Sequence, residues 1–286
     1  MIQPTMKTLN LITPAISDIP FQSFTFPDGQ PHLKLETNFS AREIARCRIV
    51  TRIANPADLL RVLLAKDVLE EAGAEQIDLI VSYLMAARMD RVMTTGEPFS
   101  LRVVTDILNQ AGFHKIAVFD PHSEVTAALL RRSAVIPNYL FVKDCLTDFL
   151  TQKQETDYWL ISPDAGALKK IHAVAQYTGA EQVAECMKMR DVRTGNLSGF
   201  KTLETDFKGQ TCFIVDDICD GGGTFAGIGS LLKERNAGSV VLIVSHGIFS
   251  KGFAIHSIDF IYTTDSFRPL QEVPAHVMVK PITDYI

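Results

Sequence analysis

Two adjacent carboxylates, Asp216 and Asp217, close the apolar run Phe213-Ile214-Val215 and lead through Ile218 and Cys219 into Asp220-Gly221-Gly222-Gly223-Thr224. An apolar strand that passes through glycines into a helix makes an anion cradle. Glycines let backbone amides approach a phosphate closely, and a helix beginning near Thr224 aims its positive end at the same point. Asp216 and Asp217 cannot face that phosphate without repulsion, so hydrogen bonds from the hydroxyls of an attached ribose suit them better. The plain alternative is a glycine-rich turn with solvated acids, and the paired carboxylates beside three glycines make it the weaker reading. Ser162-Pro163-Asp164-Ala165-Gly166 joins a second apolar run to a helical stretch and suits a diphosphate. His122 follows a third run; its neutral imidazole can ligate a divalent cation, with Asp164 as a hard oxygen donor, although a lone histidine is more often structural. Lys188-Met189-Arg190 opens a polar stretch, 188–200, with Gly195, Asn196 and Gly199, the composition of a mobile surface loop.

These residues need strand ends to hold them. Short runs rich in Val and Ile alternate with amphipathic stretches, the pattern of βα units around parallel sheets buried on both faces. Strands are expected at 9–13, 48–53, 78–84, 115–120, 158–162, 211–216, 240–245, 260–264 and 276–279. Helices are expected at 57–72, 99–111, 123–132, 165–177 and 224–235. Pro137 and Asn138 interrupt the pattern and divide it into two sets, residues 1–137 and 138–286. The fold class that follows is α/β, with two open, mainly parallel sheets flanked by helices. Ligands of such sheets sit beyond the carboxyl ends of the strands, where the candidate residues fall.

Composition narrows the function classes. In a chain of 286 residues, 47% hydrophobic and carrying a net charge of -5, no cluster of Lys and Arg marks a nucleic-acid or membrane surface. Small-molecule partners are expected, with no nucleic acid and no membrane. The five cysteines, Cys47, Cys145, Cys186, Cys212 and Cys219, form no CxxC pair and cannot all pair with one another, which fits a reducing compartment. With no signal-like leader and no long apolar span, a cytoplasmic location is expected.

The motifs together resemble a known family. Val215-Asp216-Asp217, Asp220 and Gly223-Thr224 resemble the phosphoribosyl diphosphate signature of type I phosphoribosyltransferases and of their two-domain relatives, the ribose-phosphate pyrophosphokinases (PRPP synthetases). Other segments favour the second group. Ser162 to Gly166 is similar to its pyrophosphate loop, Phe119-Asp120-Pro121-His122-Ser123 to its metal-binding segment, and Ser245-His246-Gly247-Ile248-Phe249-Ser250 to a late Thr-His-Gly-x-Phe-Ser motif. Ala87-Arg88-Met89-Asp90-Arg91, continued by Gly96-Glu97-Pro98-Phe99-Ser100, resembles an ATP-contacting segment. The similarity is collinear from Phe26 to Lys280.

The resemblance implies tandem phosphoribosyltransferase-like domains and transfer of the β,γ-diphosphate of ATP to the anomeric hydroxyl of a phosphorylated ribose. It implies Mg2+ at His122 and Asp164, diphosphate at Asp164, Ala165 and Gly166, and catalytic cations at Lys188 and Arg190. ATP would be met by Asp28, Gln30, Arg88 and Asp90, and the ribose phosphate by Asp216, Asp217, Asp220, Gly221, Gly222, Gly223 and Thr224. A homo-oligomer, at least a dimer, is implied as well. Some features depart from the family. The phosphate loop has glycine where a hydroxyl residue is usual, Gln30 replaces a Glu, and Val92-Met93-Thr94-Thr95 replaces a charged loop. About a dozen residues separate the first strand from Phe26, too few for the family's first helix, and a last helix is not expected after Ile286. The loop glycines and the helices missing at the two ends would leave the acceptor pocket more open than in the family and bring in a second acceptor beside ribose 5-phosphate, while the changed 92–95 loop puts the family's phosphate or ADP allostery and hexamer contacts in doubt. That acceptor is ADP-ribose, as in phage-encoded relatives that rebuild NAD. The alternatives are a phosphoribosyltransferase, which needs one such domain, and a non-catalytic nucleotide-binding regulatory homologue, which would lose the cations kept here at Lys188 and Arg190.

Overall fold

The computed structural model describes residues 6–36, 39–190 and 197–286. It has two compact units: Met1–Pro137 with Ile282–Asp284 and Ile286, and Asn138–Pro281 with Tyr285.

In the first unit β1 (Lys7–Asn10), β4 (Arg46–Ile53), β5 (Gln76–Leu84), β6 (Lys115–Phe119) and β7 (Ser133–Ile136) form one sheet in that order, every neighbouring pair parallel. A separate antiparallel hairpin, β2 (Phe21–Thr25) and β3 (Pro31–Leu35), follows a single 3-10 turn at Pro14–Ile16. A short helix, α1 (Ala41–Ile44), precedes β4, and α2 (Pro56–Glu71), α3 (Ser100–Ala111) and α4 (Glu124–Leu129) make the crossovers. Helix α2 starts where Asn55 Oδ1 accepts the Asp58 amide at 3.0 Å, with Pro56 in the first turn, where its missing N–H costs nothing. Ile49, Leu79, Val81 and Val118 of the sheet are buried with Val62, Leu69, Leu101 and Leu108 of the helices.

The second unit begins with α5 (Tyr139–Lys153), a helix in the stretch between the Pro137 interruption and the strand at 158. Its buried residues, Phe141, Val142, Cys145, Leu146 and Phe149, recur every three to four positions and line one face. The sheet follows the order β10 (Leu197–Thr202), β9 (Gln182–Arg190), β8 (Tyr158–Ser162), β11 (Thr211–Cys219), β12 (Val240–Gly247), β13 (Phe260–Thr264) and β14 (Val277–Lys280). Only the β9–β10 pair is antiparallel. Helices α6 (Leu168–Thr178) and α7 (Gly223–Glu234) connect β8 to β9 and β11 to β12. All eight residues of β12 are buried, as a central parallel strand covered on both faces requires.

Both sheets are parallel in the main, and the strand at 158–162 stands where the alternation put it. The expected helix at 123–132 is shorter, since β7 takes residues from 133 onward. The expected loop at 188–200 is instead, in its described part, two strand arms with Arg190 opposite Leu197 and Lys188 opposite Phe200. Burial recurs at Ala184 and Cys186, the period of two of a strand, and residues 191–196 lie outside the described residues. The base of this hairpin rests on α7: a Cβ on Gly227 would fall 2.1 Å from the Phe200 ring, so only glycine admits that ring. No helix among the described residues is long and apolar enough to cross a membrane.

Candidate functional site

The carboxyl end of β11 carries the densest chemistry. Val215 and Asp216 lie beside Ile243 and Val244 of β12, and the strand runs on to Cys219, opposite Gly247. Asp217 is 7% exposed. Asp216 Oδ1 accepts the Asp217 amide at 2.9 Å. Burial, then the charge of Asp217 and a hydrogen bond between the two carboxyl groups, raise Asp216 well above the ordinary carboxylate range, while the Lys170 ammonium on α6 pulls the other way.

The three glycines after Asp220 differ in what the backbone asks of them. Gly222 caps α7 with φ +74°, and a Cβ there would meet Ile255 Cγ1 at 2.9 Å, so glycine is required twice over. Gly221 has an ordinary φ and would place a Cβ 3.5 Å from the stem of Lys251; around Gly223 nothing lies within 4 Å. The Gly222 carbonyl accepts the Ala226 amide at 2.9 Å, leaving the amides of the first turn aimed outward from a twelve-residue helix.

At the end of β8, Ser162 is fully buried and its Oγ donates to the Asp164 carbonyl at 2.8 Å. Asp164 Oδ1 accepts the Ala167 amide at 3.1 Å and would lie 3.2 Å from a Cβ on Gly166. A carboxylate therefore stands against the turn where a diphosphate was expected. The hard oxygen of that carboxylate fits Mg2+, which takes one or two carboxylates together with substrate phosphates. Among the described residues no group of three or more His, Cys, Asp or Glu converges as a ready-made metal cage.

In the first unit, β6 ends at Asp120, 3% exposed and in the left-handed region at φ +41° immediately before Pro121, a conformation both residue type and sequence disfavour. Its amide donates to the Ile136 carbonyl at 2.8 Å, which holds the turn that presents the exposed His122. The shielded hydroxyls of Ser123 and Thr126 bond to no atom among the described residues, leaving two donors beside His122. Beyond β5, Ala86 (φ +63°) turns the chain into exposed Arg88 and half-buried Asp90, whose Oδ1 lies 3.9 Å from Arg91 Nε. Asp28 and Gln30 are exposed at the tip of the β2–β3 hairpin, where Asp28 Oδ1 accepts the Gln30 amide at 3.0 Å. Lys188 and Arg190 lie on β9, and their side chains fall outside the description.

Thus Asp216, Asp217, Asp220 and the glycines share one strand end, and each of the other groups ends an element of its own. His246, part of a motif matched from sequence, is a buried structural residue: its Nδ1 lies 2.8 Å from Ser266 Oγ, which in turn donates to the Ser245 carbonyl at 3.0 Å. Lys170 was not singled out from sequence and acts through its field on Asp216, and Ser250, the last residue of the late motif, donates its Oγ hydrogen to Asp220 Oδ1 at 2.5 Å. No motif marks Lys170, and only the folded sheet brings α6 and the segment after β12 to β11.

Comparison with known proteins agrees with this layout. Residues 15–112 match the model of the N-terminal domain of ribose phosphate pyrophosphokinase, and residues 161–271 match the phosphoribosyl transferase domain. A ribose-phosphate pyrophosphokinase of Corynebacterium efficiens is 27% identical over 270 residues, covering 92% of this chain and 81% of its own. Another, from Pyrococcus abyssi, is 28% identical over 267 residues, 91% and 87% of the two chains. The fold is shared with the crystal structure of phosphoribosylpyrophosphate synthetase from Mycobacterium smegmatis, with TM-score 0.77, 21% identity, and 95% and 89% of the chains covered.

Two variants test the local geometry. Gly222→Ala should destabilise the chain by about 1–2 kcal/mol from its left-handed φ alone, with the Ile255 contact adding to it, whereas Gly223→Ala should leave stability nearly unchanged; urea unfolding monitored by circular dichroism checks both. For Asp216 the folded pKa exceeds the unfolded value, so its contribution is fully present below the unfolded pKa and is lost as pH rises through the folded one. Asp216→Asn removes that loss. Calorimetric melting from about pH 4 to about pH 8, without ligands, should show the variant gaining on the wild type as pH rises.

Proposed function

Because the chain belongs to the ribose-phosphate pyrophosphokinase family, we propose that it transfers the β,γ-diphosphate of ATP to the anomeric hydroxyl of a phosphorylated ribose, releasing AMP. The observation that carries this reading is the end of β11, where the adjacent carboxyl groups of Asp216 and Asp217 stand beside a glycine turn opening the N-terminus of α7. Ribose hydroxyls donate to the Asp216–Asp217 pair, and the 5-phosphate takes the amides of Gly221 to Thr224. The anomeric oxygen then bonds to the β-phosphorus as the bond from that phosphorus to the oxygen of the α-phosphate breaks, with the hydroxyl proton passing to solvent.

Most of the work in such a transfer is positioning and charge neutralisation. Asp28, Gln30, Arg88 and Asp90 hold ATP, while Asp164, Ala165 and Gly166 take the diphosphate. Lys188 and Arg190 neutralise the charge that develops on the moving group. His122 and Asp164 would hold Mg2+, which supplies neutralisation of the phosphate oxygens when bound. The stance of Asp164 against Gly166 supports this, since it sets a hard carboxylate oxygen beside the turn. Assembly as at least a dimer belongs to the same reading.

Two acceptors satisfy the chemistry, ribose 5-phosphate giving PRPP and ADP-ribose giving ADP-ribose 1-diphosphate for NAD synthesis. The empty space around Gly223 supports the larger one, because a phosphodiester needs an exit for its attached nucleotide.

Incubation of the protein with Mg2+, ATP and each acceptor, followed by mass detection of products, tests the reaction. AMP and a 1-diphosphate should form from at least one acceptor, and formation from neither would overturn the proposal. His122→Ala and Asp164→Ala should each lower turnover at least about 100-fold with the fold intact, as removal of a metal ligand does. Lys188→Ala and Arg190→Ala should lower kcat about 100-fold or more while ATP affinity by calorimetry changes little; loss of affinity in proportion to rate would instead make them ground-state binders.

A further inference from the structure

The segment after β12 brings a cation to the phosphate turn that the mechanism above does not use. The amides of Ile248 and Phe249 both donate to the Cys219 carbonyl, at 2.9 and 3.2 Å, and Ser250 Oγ donates to Asp220 Oδ1 at 2.5 Å. A tight turn follows, with Phe249 at φ +47°, Gly252 at φ +81° and the Gly252 amide donating to the Phe249 carbonyl at 3.0 Å. Ile255, farther along, packs beside Gly222. The 248–255 segment is thereby fastened to residues 219–222 at several points, and Lys251 stands at its tip. The lysine stem crosses Gly221: a Cβ on that glycine would lie 3.5 Å from Cδ and Cε and 3.8 Å from Cγ. Lys251 is exposed, and its ammonium makes no hydrogen bond or ion pair among the described residues.

Charge shows what such a residue is for. The turn is approached by Asp216, Asp217 and Asp220, and a helix N-terminus supplies only about half an elementary charge to a phosphate. A phosphate in that cradle lacks a full counter-charge, and Lys251 is held where it can give one.

We infer that Lys251 is an acceptor-binding residue, its ammonium pairing with the anionic group carried on the 5-oxygen of the ribosyl substrate. The inference rests on the reading of residues 216–224 as the acceptor site. A solvated surface lysine would make the same van der Waals contact with Gly221, but its loss would not change acceptor binding.

Calorimetric titration of the full chain with ribose 5-phosphate and, separately, with ADP-ribose distinguishes these cases. Lys251→Met should weaken acceptor binding roughly tenfold, the size of one lost charge-assisted contact, while Lys251→Arg stays within about threefold of the wild type. Melting temperature and ATP affinity should not move in either variant. A loss shared by both acceptors assigns the ammonium to the phosphate next to the ribose; a loss confined to ADP-ribose assigns it to the outer phosphate. Unchanged binding of both acceptors by Lys251→Met overturns the inference and leaves the site reading standing. If the wild type binds neither acceptor, it is the site reading that fails.

Discussion

The burial of β11 is the constraint on which the rest depends. A parallel strand flanked on both edges by β8 and β12 satisfies its backbone through its neighbours and cannot slip without breaking two ladders at once. Its last residues are therefore fixed in register, and whatever side chains stand there are held without being packed for their own sake. Asp216, Asp217 and the glycine turn occupy that position. The helix that must follow a parallel strand then places its N-terminus at the same point, so connecting the strands by itself brings the positive end of a helix dipole beside the glycine turn.

Holding two carboxyl groups there works against stability. Removal from water and the charge of Asp217 raise the pKa of Asp216 well above the ordinary carboxylate range, a cost to the folded chain wherever both groups are charged. Asp120 shows the same trade in the backbone of the first unit, where a left-handed residue before proline persists because β6 and β7 hold it. Strain and charge thus collect at the ends of strands whose interiors are the most securely packed parts of each sheet.

The segment after β12 extends this logic to a third layer. His246 and Ser266 tie the strand end to the chain that follows β13, and the turn beyond docks on Cys219 and Asp220. A histidine in a conserved-looking motif invites a catalytic role from sequence alone, yet its burial and its bond to Ser266 make it a fastening. What it fastens is the turn that carries Lys251.

The alternation of apolar runs and amphipathic stretches was enough to read two mainly parallel sheets, and Asp216-Asp217 with three glycines was enough to read a strand running through a glycine turn into a helix, because both depend on local order in the chain. The β2–β3 hairpin, α5 and the strand arms at 182–190 and 197–202 escaped that reading. Polar strand faces and a helix with apolar residues spread around it give weak periodic signals, and packing decides them. Sequence likewise could not separate the three glycines: Gly222 is fixed by a positive φ and by Ile255, Gly221 by nothing stronger than a lysine stem, and Gly223 by no neighbour at all. Nor could it bring Lys170, Ser250 and Lys251 to β11, since those contacts join residues far apart in the chain and exist only once the second sheet has closed around its central strands.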